Sequence, residues 1–265
     1  KHYGIGYKVG HDGFSPYSRV NKLRKVFLGR KFNIDIQRAR LITQTYRENP
    51  GLSAKLKTAY SLKNILENVD IDLYEDELFV GELAAPAKAA PIYPEFSVEW
   101  IIDELRNHPF DQRAHDKFYI TKEDSDELLE LLEFWRGKTV ADAVEAGLTE
   151  DQKKGCEMGK KVYMTNLYHF GGVGHFVMDY EKLLKIGYHG LIAEAEAYAA
   201  TLDVSDSEYT EKKEFYEAMI IELKAACTYI NRYAALAEQR SIQEQNPARR
   251  AELEQIAANC RQIAG

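Results

Sequence analysis

Apolar residues recur at steps of three and four along most of the chain, a spacing that places them on one face of an α-helix. One of the clearest stripes begins after Ser53 and continues through Leu56, Ala59, Leu62 and Ile65. The same spacing extends over residues 211–243, where Phe215, Met219, Leu223, Ala226, Ile230 and Tyr233 share one side. The pattern predicts a mainly α-helical chain with only one or two short strands.

Several predicted helices begin at a residue whose side-chain oxygen can accept a hydrogen bond from the first helical turn. These capping residues are Ser53, Ser97, Thr121, Asp179 and Asn246, the last followed by a proline. The predicted helix after Asp179 runs from Tyr180 to about Leu202 and contains Gly187 and Gly190. We expect these two glycines to let another backbone pack closely. Another helix is predicted over residues 140–146.

Two further helices carry specific expectations. A helix is predicted from Asn33, capped by Asn33 or Asp35 and ending near Asn49, because a proline disfavours helix at the residue before it. In the helix after Ser97 we expect three residues to be buried. They are Trp100, Ile101 and Leu105.

The remaining segments predict little regular structure. Residues 1–25 mix Gly, Tyr, Lys and Arg without a period and indicate an irregular, basic opening segment. The apolar run Leu78–Gly81 predicts a strand. Residues 84–94 contain three prolines, which favours an extended segment held against the core.

Composition and charge exclude several classes of protein. The chain has 265 residues, 45% of them hydrophobic and 29% charged, as in ordinary globular proteins. A net charge of −7 disfavours a general nucleic-acid binder. The sequence has neither a long apolar run for a membrane span nor the apolar stretch of a signal peptide. Because the sequence does not begin with Met, we expect the gene to begin upstream.

Three cysteines, Cys156, Cys227 and Cys260, do not form a disulfide framework and suit a reducing cytoplasm. No pair has metal-binding spacing. Cys227 and Cys260 lie at apolar helical positions, so we expect both to act as small core residues.

The segment Asn166–Met178 breaks the helical pattern with three glycines and two histidines, His169 and His175. Glycines allow a backbone to approach a ligand, and imidazoles exchange protons near neutral pH. On spacing alone, a tight turn with structural histidines is the simplest interpretation. A dinucleotide site and a zinc site on the two histidines are weaker alternatives, because neither has the required spacing.

Five segments, in order and at matching spacing, carry a family likeness that runs from about Arg24 to the end. They read IQRARLIT (36–43), DELFVG (76–81), APIYPEF (90–96), GHFVMDYEKLL (174–184) and AELEQIA (251–257). Together they resemble glycyl radical enzymes of the pyruvate formate-lyase family, most closely the diol or glycerol dehydratases and the C–X lyases. The resemblance implies that residues 1–265 are the N-terminal helical layer of a ten-stranded α/β barrel.

The resemblance also implies an activity: an anaerobic lyase or dehydratase that cleaves a C–O, C–N or C–S bond of a small hydroxylated substrate by thiyl-radical hydrogen abstraction. The cofactor implied is a glycyl radical, installed by a radical-SAM activating enzyme. No metal or organic cofactor is expected in this chain. A homodimer is expected, in the cytoplasm or in a bacterial microcompartment. The alternative substrate classes are choline, isethionate and hydroxyproline, and formate C-acetyltransferase activity is a further alternative.

The family's thiyl-cysteine motif G-C-x-E and glycyl motif R-V-x-G-Y are absent here, and we expect both to lie beyond Gly265. Gly155-Cys156-Glu157 is only superficially similar to the first, so Cys156 is expected to be a packed or surface thiol.

The resemblance implies that His175 contacts a substrate hydroxyl and acts as a general acid, with Asn166, Tyr168 and His169 as further substrate-binding candidates. Residues 158–178 contain no carboxylate, which favours a neutral diol or an anion over a quaternary ammonium substrate. Lys160 and Lys161 could face such an anion, but a solvated helix end is the favoured interpretation of these two residues. A non-catalytic binding or scaffolding protein derived from the same family is the alternative function.

Overall fold

The computed structural model describes residues 18–159 and 177–265. The helices in these ranges are α1 (Ser18–Gly29), α2 (Gln37–Glu48), α3 (Ala54–Asn68), α4 (Glu99–Asn107), α5 (Lys122–Trp135), α6 (Val140–Ala146), α7 (Glu150–Gly159), α8 (Tyr180–Ala200), α9 (Tyr209–Gln243) and α10 (Pro247–Ala264). The strands are β1 (Phe32–Asp35), β2 (Ala89–Pro91) and β3 (Phe118–Tyr119). The predicted mainly helical class is confirmed, with three short strands in the described residues where one or two were expected.

The three strands form a small parallel sheet in the order β2-β1-β3. Asn33 pairs with Ala89 on one side and with Tyr119 on the other. Parallel neighbours need a crossover connection, and here helices α2 and α3 separate β1 from β2, while α4 separates β2 from β3. The proline-rich segment 84–94 is extended as predicted only in part: residues 89–91 form β2, whereas residues 84–86 are bends and residues 87–88 form a turn, with Lys88 at a φ of 60°.

The predicted helix start at Asn33 is wrong, because Phe32–Asp35 is the central strand of this sheet. Helix α2 begins at Gln37, where the Asp35 carboxylate accepts the Gln37 backbone N–H at 2.9 Å. Asp35 thus caps the first turn from two residues upstream. The predicted end before Pro50 is confirmed, because α2 stops at Glu48.

The strand predicted at Leu78–Gly81 is also wrong, because this segment pairs with no strand in the described residues. Tyrosine side chains of α9 take the place of a neighbouring strand: the Tyr233 hydroxyl accepts the Glu82 N–H at 3.1 Å, and the Tyr229 hydroxyl donates to the Glu82 carbonyl at 2.6 Å. Gly81 adopts a φ of 118°, and Phe79 is 90% exposed.

Three smaller expectations need correction. Residues 18–25, predicted to be irregular, lie in α1, while residues 1–17 lie outside the described ranges. Trp100, predicted to be buried, is 41% exposed, and the buried pair on α4 is Ile101 and Ile102. The helix after Ser97 begins at Glu99 with Val98 as its cap.

Four of the predicted capping residues are confirmed by their hydrogen bonds. Ser53, Thr121, Asp179 and Asn246 each accept a backbone N–H from the first turn of α3, α5, α8 and α10 respectively. Helix α6 spans residues 140–146 as predicted, and Thr139 caps it. These caps satisfy N–H groups that have no partner inside the helix.

Two main hydrophobic clusters hold the described elements together. The first packs the sheet against α2, α4 and α5, and Trp135 at its centre donates an indole N–H to the buried Thr43 hydroxyl at 2.8 Å. The second joins α9, α10 and Leu73 around Tyr233. Helix α3 packs on both α2 and α9 and so links the two clusters.

A partly buried ion pair fastens the segment after β2 to α2. The Arg38 guanidinium donates to the Glu95 carboxylate at 2.5 and 2.9 Å and lies 3.7 Å from the centre of the Tyr93 ring. Both charged side chains are more than four-fifths buried. Such a pair is costly to break, because the remaining charge is left without a partner in a low dielectric.

Helix α8 is interrupted at Gly187, which has φ 64° and ψ −176°. This conformation is essentially restricted to glycine. A Cβ at Gly187 would meet no atom within 4 Å, so the predicted role in close packing is wrong at this position. A Cβ at Gly190 would lie 2.6 Å from the Ile186 Cβ, so Gly190 makes room for a side chain of α8 itself, and the predicted close packing of another backbone is wrong here as well.

We predict that Arg38→Ala lowers the free energy of unfolding by about 2–4 kcal/mol, because Glu95 loses its partner in a partly buried site. Arg40→Ala is the matched control on the same helix. Its pair with Glu127 is far more exposed and should contribute at most about 1 kcal/mol. Denaturant unfolding of the purified protein measures both variants, and equal losses would contradict the role given to the Arg38–Glu95 pair.

We also predict that Gly187→Ala destabilises the protein by about 1–3 kcal/mol, because alanine disfavours the backbone conformation that Gly187 adopts. Gly29→Ala is the control, since Gly29 has no positive φ and open space around its missing Cβ. Thermal melts of the two variants compare the effects. A Gly187→Ala variant as stable as the parent would mean that α8 tolerates a continuous helix.

Candidate functional site

The predicted site segment lies between α7, which ends at Gly159, and the start of α8. Asn166, Tyr168, His169 and His175 all lie outside the described residues, as do Lys160 and Lys161. Their predicted roles therefore stay predictions. The structure does describe how the chain leaves this segment, from Val177 onward.

Asp179 caps the N-terminus of α8, where the chain leaves this segment. Its carboxylate accepts the Lys182 backbone N–H at 3.0 Å, and its carbonyl accepts the Leu183 N–H at 2.9 Å. A carboxylate is also favoured at a helix N-terminus by the helix dipole. The resemblance segment GHFVMDYEKLL thus ends in a capped helix start four residues after His175.

The first part of α8 is tied to its second part across the Gly187 break. The Lys182 ammonium pairs with the Glu194 carboxylate, and this contact raises the pKa of Lys182. The pair spans twelve residues, which a continuous helix would place far apart. The Lys182–Glu194 pair therefore lies across the break and links the two parts of α8.

Beside this ion pair, α8 and α9 form an open groove of about 500 Å³, named here the α8–α9 groove. Its lining is mostly apolar and aromatic. The residues are Lys182, Leu191, Glu194, Ala195, Tyr198, Phe215, Tyr216, Met219, Glu222, Leu223 and Ala226. The Tyr198 and Tyr216 rings stack with centroids 6.0 Å apart and an interplanar angle of 14°.

Glu222 is the one carboxylate of the groove lining without a hydrogen bond or ion pair to the residues that the structure describes. Burial raises the pKa of its carboxyl group. Glu222 did not emerge from the sequence, where it is one of many glutamates on a helix. The apolar stripe through Phe215 and Met219 was visible in the spacing, and it marks the helix face on which the groove lies.

The described cysteines have no reactive surroundings. Cys227 and Cys260 are buried as predicted, and burial raises the pKa of both thiols, which disfavours the reactive thiolate. The Cys156 side chain lies outside the described positions. Within residues 18–159 and 177–265, no group of His, Cys, Asp or Glu is arranged to hold a metal ion. No helix in these ranges combines the length and apolar character of a membrane span.

Curated relatives of this chain include a dehydratase and a sulfite-lyase. The chain is 50% identical over 266 residues to (2S)-3-sulfopropanediol dehydratase of Klebsiella oxytoca, covering 100% of this chain and 32% of the relative. It is 31% identical over 262 residues to isethionate sulfite-lyase of Oleidesulfovibrio alaskensis, covering 94% and 31%. The chain thus spans about a third of the length of these relatives.

Two solved structures also match this chain, and each match covers about a third of the solved protein. The glycerol-bound B12-independent glycerol dehydratase of Clostridium butyricum matches with a TM-score of 0.88 and 32% identity, over 99% of this chain and 32% of that one. Hydroxyproline dehydratase of Clostridioides difficile matches with a TM-score of 0.80 and 27% identity, over 93% and 31%.

The family described as "Pyruvate formate lyase-like" matches residues 14–265. This span contains all five segments on which the sequence resemblance depends. The likeness predicted from them is confirmed, and the chain belongs to the pyruvate formate lyase-like family of glycyl radical enzymes.

Proposed function

We propose that the protein containing this chain is a glycyl radical dehydratase that removes water from a small vicinal diol carrying an anionic group. The observation that carries the proposal is the 50% identity to a sulfopropanediol dehydratase over the whole chain, against 31% to an isethionate lyase. The absence of any carboxylate in residues 158–178 supports an anionic substrate, because a carboxylate there would repel a sulfonate.

The proposed reaction balances without an outside oxidant. A hydrogen atom leaves the carbon that keeps its hydroxyl, the neighbouring C–O bond breaks, and the hydrogen atom returns to that neighbouring carbon. A vicinal diol thereby gives an aldehyde and one molecule of water. The glycyl radical and the thiyl cysteine, for which this chain carries no motif, supply the hydrogen abstraction.

In this proposal His175 is the general acid. Hydroxide is a poor leaving group, and a proton given by an imidazolium lets it leave as water. Asn166, Tyr168 and His169 are proposed to contact the same substrate. The capped start of α8 at Asp179 supports this assignment, because it fixes the backbone four residues after His175.

The remaining features of the whole protein are proposals of the same kind. Activation by a radical-SAM enzyme, a homodimer, and a cytoplasmic or microcompartment location follow from the family rather than from this structure. Residues 1–265 would then serve as the helical layer against which a barrel is built.

We predict a substrate order for the full-length protein after anaerobic activation. Sulfopropanediol should be turned over with the highest kcat/KM, ahead of glycerol, 1,2-propanediol, isethionate and trans-4-hydroxyproline. Product aldehyde and released sulfite are measured separately, since the first reports C–O cleavage and the second C–S cleavage. Preferential sulfite release from isethionate would replace the dehydratase with a C–S lyase, and failure of the full-length protein to form a radical under activating conditions would favour the scaffolding alternative.

We predict that His175→Ala lowers kcat of the activated full-length enzyme by roughly 10²–10⁴-fold, the contribution typical of a general acid. The pH profile should also lose its decline on the alkaline side. His189→Ala on the exposed face of α8 is the matched control and should leave turnover unchanged. Unaltered kinetics in His175→Ala would remove this histidine from the reaction.

A further inference from the structure

The first part of α8 is not anchored in a hydrophobic cluster of the described structure. None of residues 177–186 is buried, and Val177 and Leu184 are 93% and 84% exposed. The second part of the helix, by contrast, is buried at Ile192 and Ala195. Within the described residues, the position of the first part therefore depends on its contacts with the second part across the break at Gly187.

An apolar contact across this break requires a glycine. A Cβ at Gly190 would lie 2.6 Å from the Cβ of Ile186 and 3.0 Å from its Cγ1, closer than side-chain atoms approach one another. In a continuous helix, the Cβ atoms of residues four apart are about 5–6 Å from each other. The break thus brings Ile186 directly onto the Gly190 backbone, a contact named here the Gly190 seat.

An ion pair spans the same break farther from Gly187. Lys182 and Glu194 are twelve residues apart, and a continuous helix would separate their Cα atoms by about 18 Å. Their side chains nevertheless meet, which shows that the first part of α8 is turned back toward the second part. Both side chains are about two-fifths exposed, so the pair by itself is a weak contact that adds to the Gly190 seat.

We propose that the Gly190 seat and the ion pair across the break fix the angle between the two parts of α8 and so position His175 for the proposed dehydration. The first part begins at the Asp179 cap, four residues after His175. A change in the angle therefore displaces the backbone that leads to this histidine. The inference rests on the proposed function, in which His175 is the general acid, and the residues of the two contacts are positioning residues that act through the backbone.

Gly190→Ala in the activated full-length enzyme tests the seat, because the added methyl group must move Ile186 away. We expect kcat to fall roughly ten- to hundredfold with KM changed less than about twofold, since misplacing a catalytic group weakens transition-state stabilisation and leaves substrate binding intact. Gly29→Ala in α1 is the control, because open space surrounds its missing Cβ. Turnover is expressed per glycyl radical, counted by electron paramagnetic resonance, so that loss of folded or activated enzyme does not count as a slower reaction.

Charge removal and charge reversal test the ion pair. Lys182→Met should lower kcat about two- to fivefold, the size expected for a partly exposed pair. Lys182→Glu should lose more, and adding Glu194→Lys to it should restore most of the loss, because the reversed pair makes the same contact. Lys224→Met is the matched control and should leave kcat unchanged, because Lys224 joins Glu196 of α8 to α9 without spanning the break.

Three results would overturn the proposal: a kcat per radical in Gly190→Ala within about twofold of the parent, equal effects of Lys182→Met and Lys224→Met, or no recovery in the reversed pair. If Gly190→Ala does not fold, the charge variants decide the question. His175→Ala is measured in the same series. If it alone slows turnover, only this inference fails, whereas unaltered turnover in His175→Ala refutes the proposed role of the histidine on which the inference rests.

Discussion

The close packing of α9 against its neighbours is the constraint on which the rest of the described structure depends. Ala234 and Ala237 are fully buried where α10 crosses, and Ala218 is buried where α3 crosses. Alanine at these positions lets helix axes approach closely, which larger side chains would prevent. Helix α8 packs on the same helix through Ile192 and Cys227. Because α3, α8 and α10 share one partner, their relative positions are fixed by α9.

Helix α9 also satisfies the backbone of chain segments that have no regular structure of their own. Arg232 donates to the carbonyls of Leu66 and Val69 at 2.7 and 2.5 Å, just where α3 ends. Tyr229 and Tyr233 bind both backbone groups of Glu82. Buried backbone groups need such partners, and side chains supply them where no strand is available. One helix therefore organises both the regular and the irregular parts of this region.

Most helices could be predicted from the sequence because their signals are local. Ser53 and Asn246 cap helices through atoms two or three residues away, and the apolar stripe of α9 follows from its own spacing. The strand β1 could not be predicted in this way, because its partners Ala89 and Tyr119 lie far along the chain. The break at Gly187 could not be predicted for a different reason: the sequence shows a glycine within a helical pattern, but it does not show which φ angle that glycine adopts. The histidine segment stood out by breaking the pattern, but its contacts depend on residues from elsewhere.

The long separation between contacting residues has a consequence for how the protein is made. The bond between Arg232 and Leu66 joins residues 166 positions apart. At a synthesis rate of about 5–20 residues per second, the ribosome needs roughly 8–33 s to add the residues between Leu66 in α3 and Arg232 in α9. During that interval the apolar face of α3, with Leu56 and Ala59, has no native cover. Chaperone binding to the nascent chain would have its greatest effect in this window.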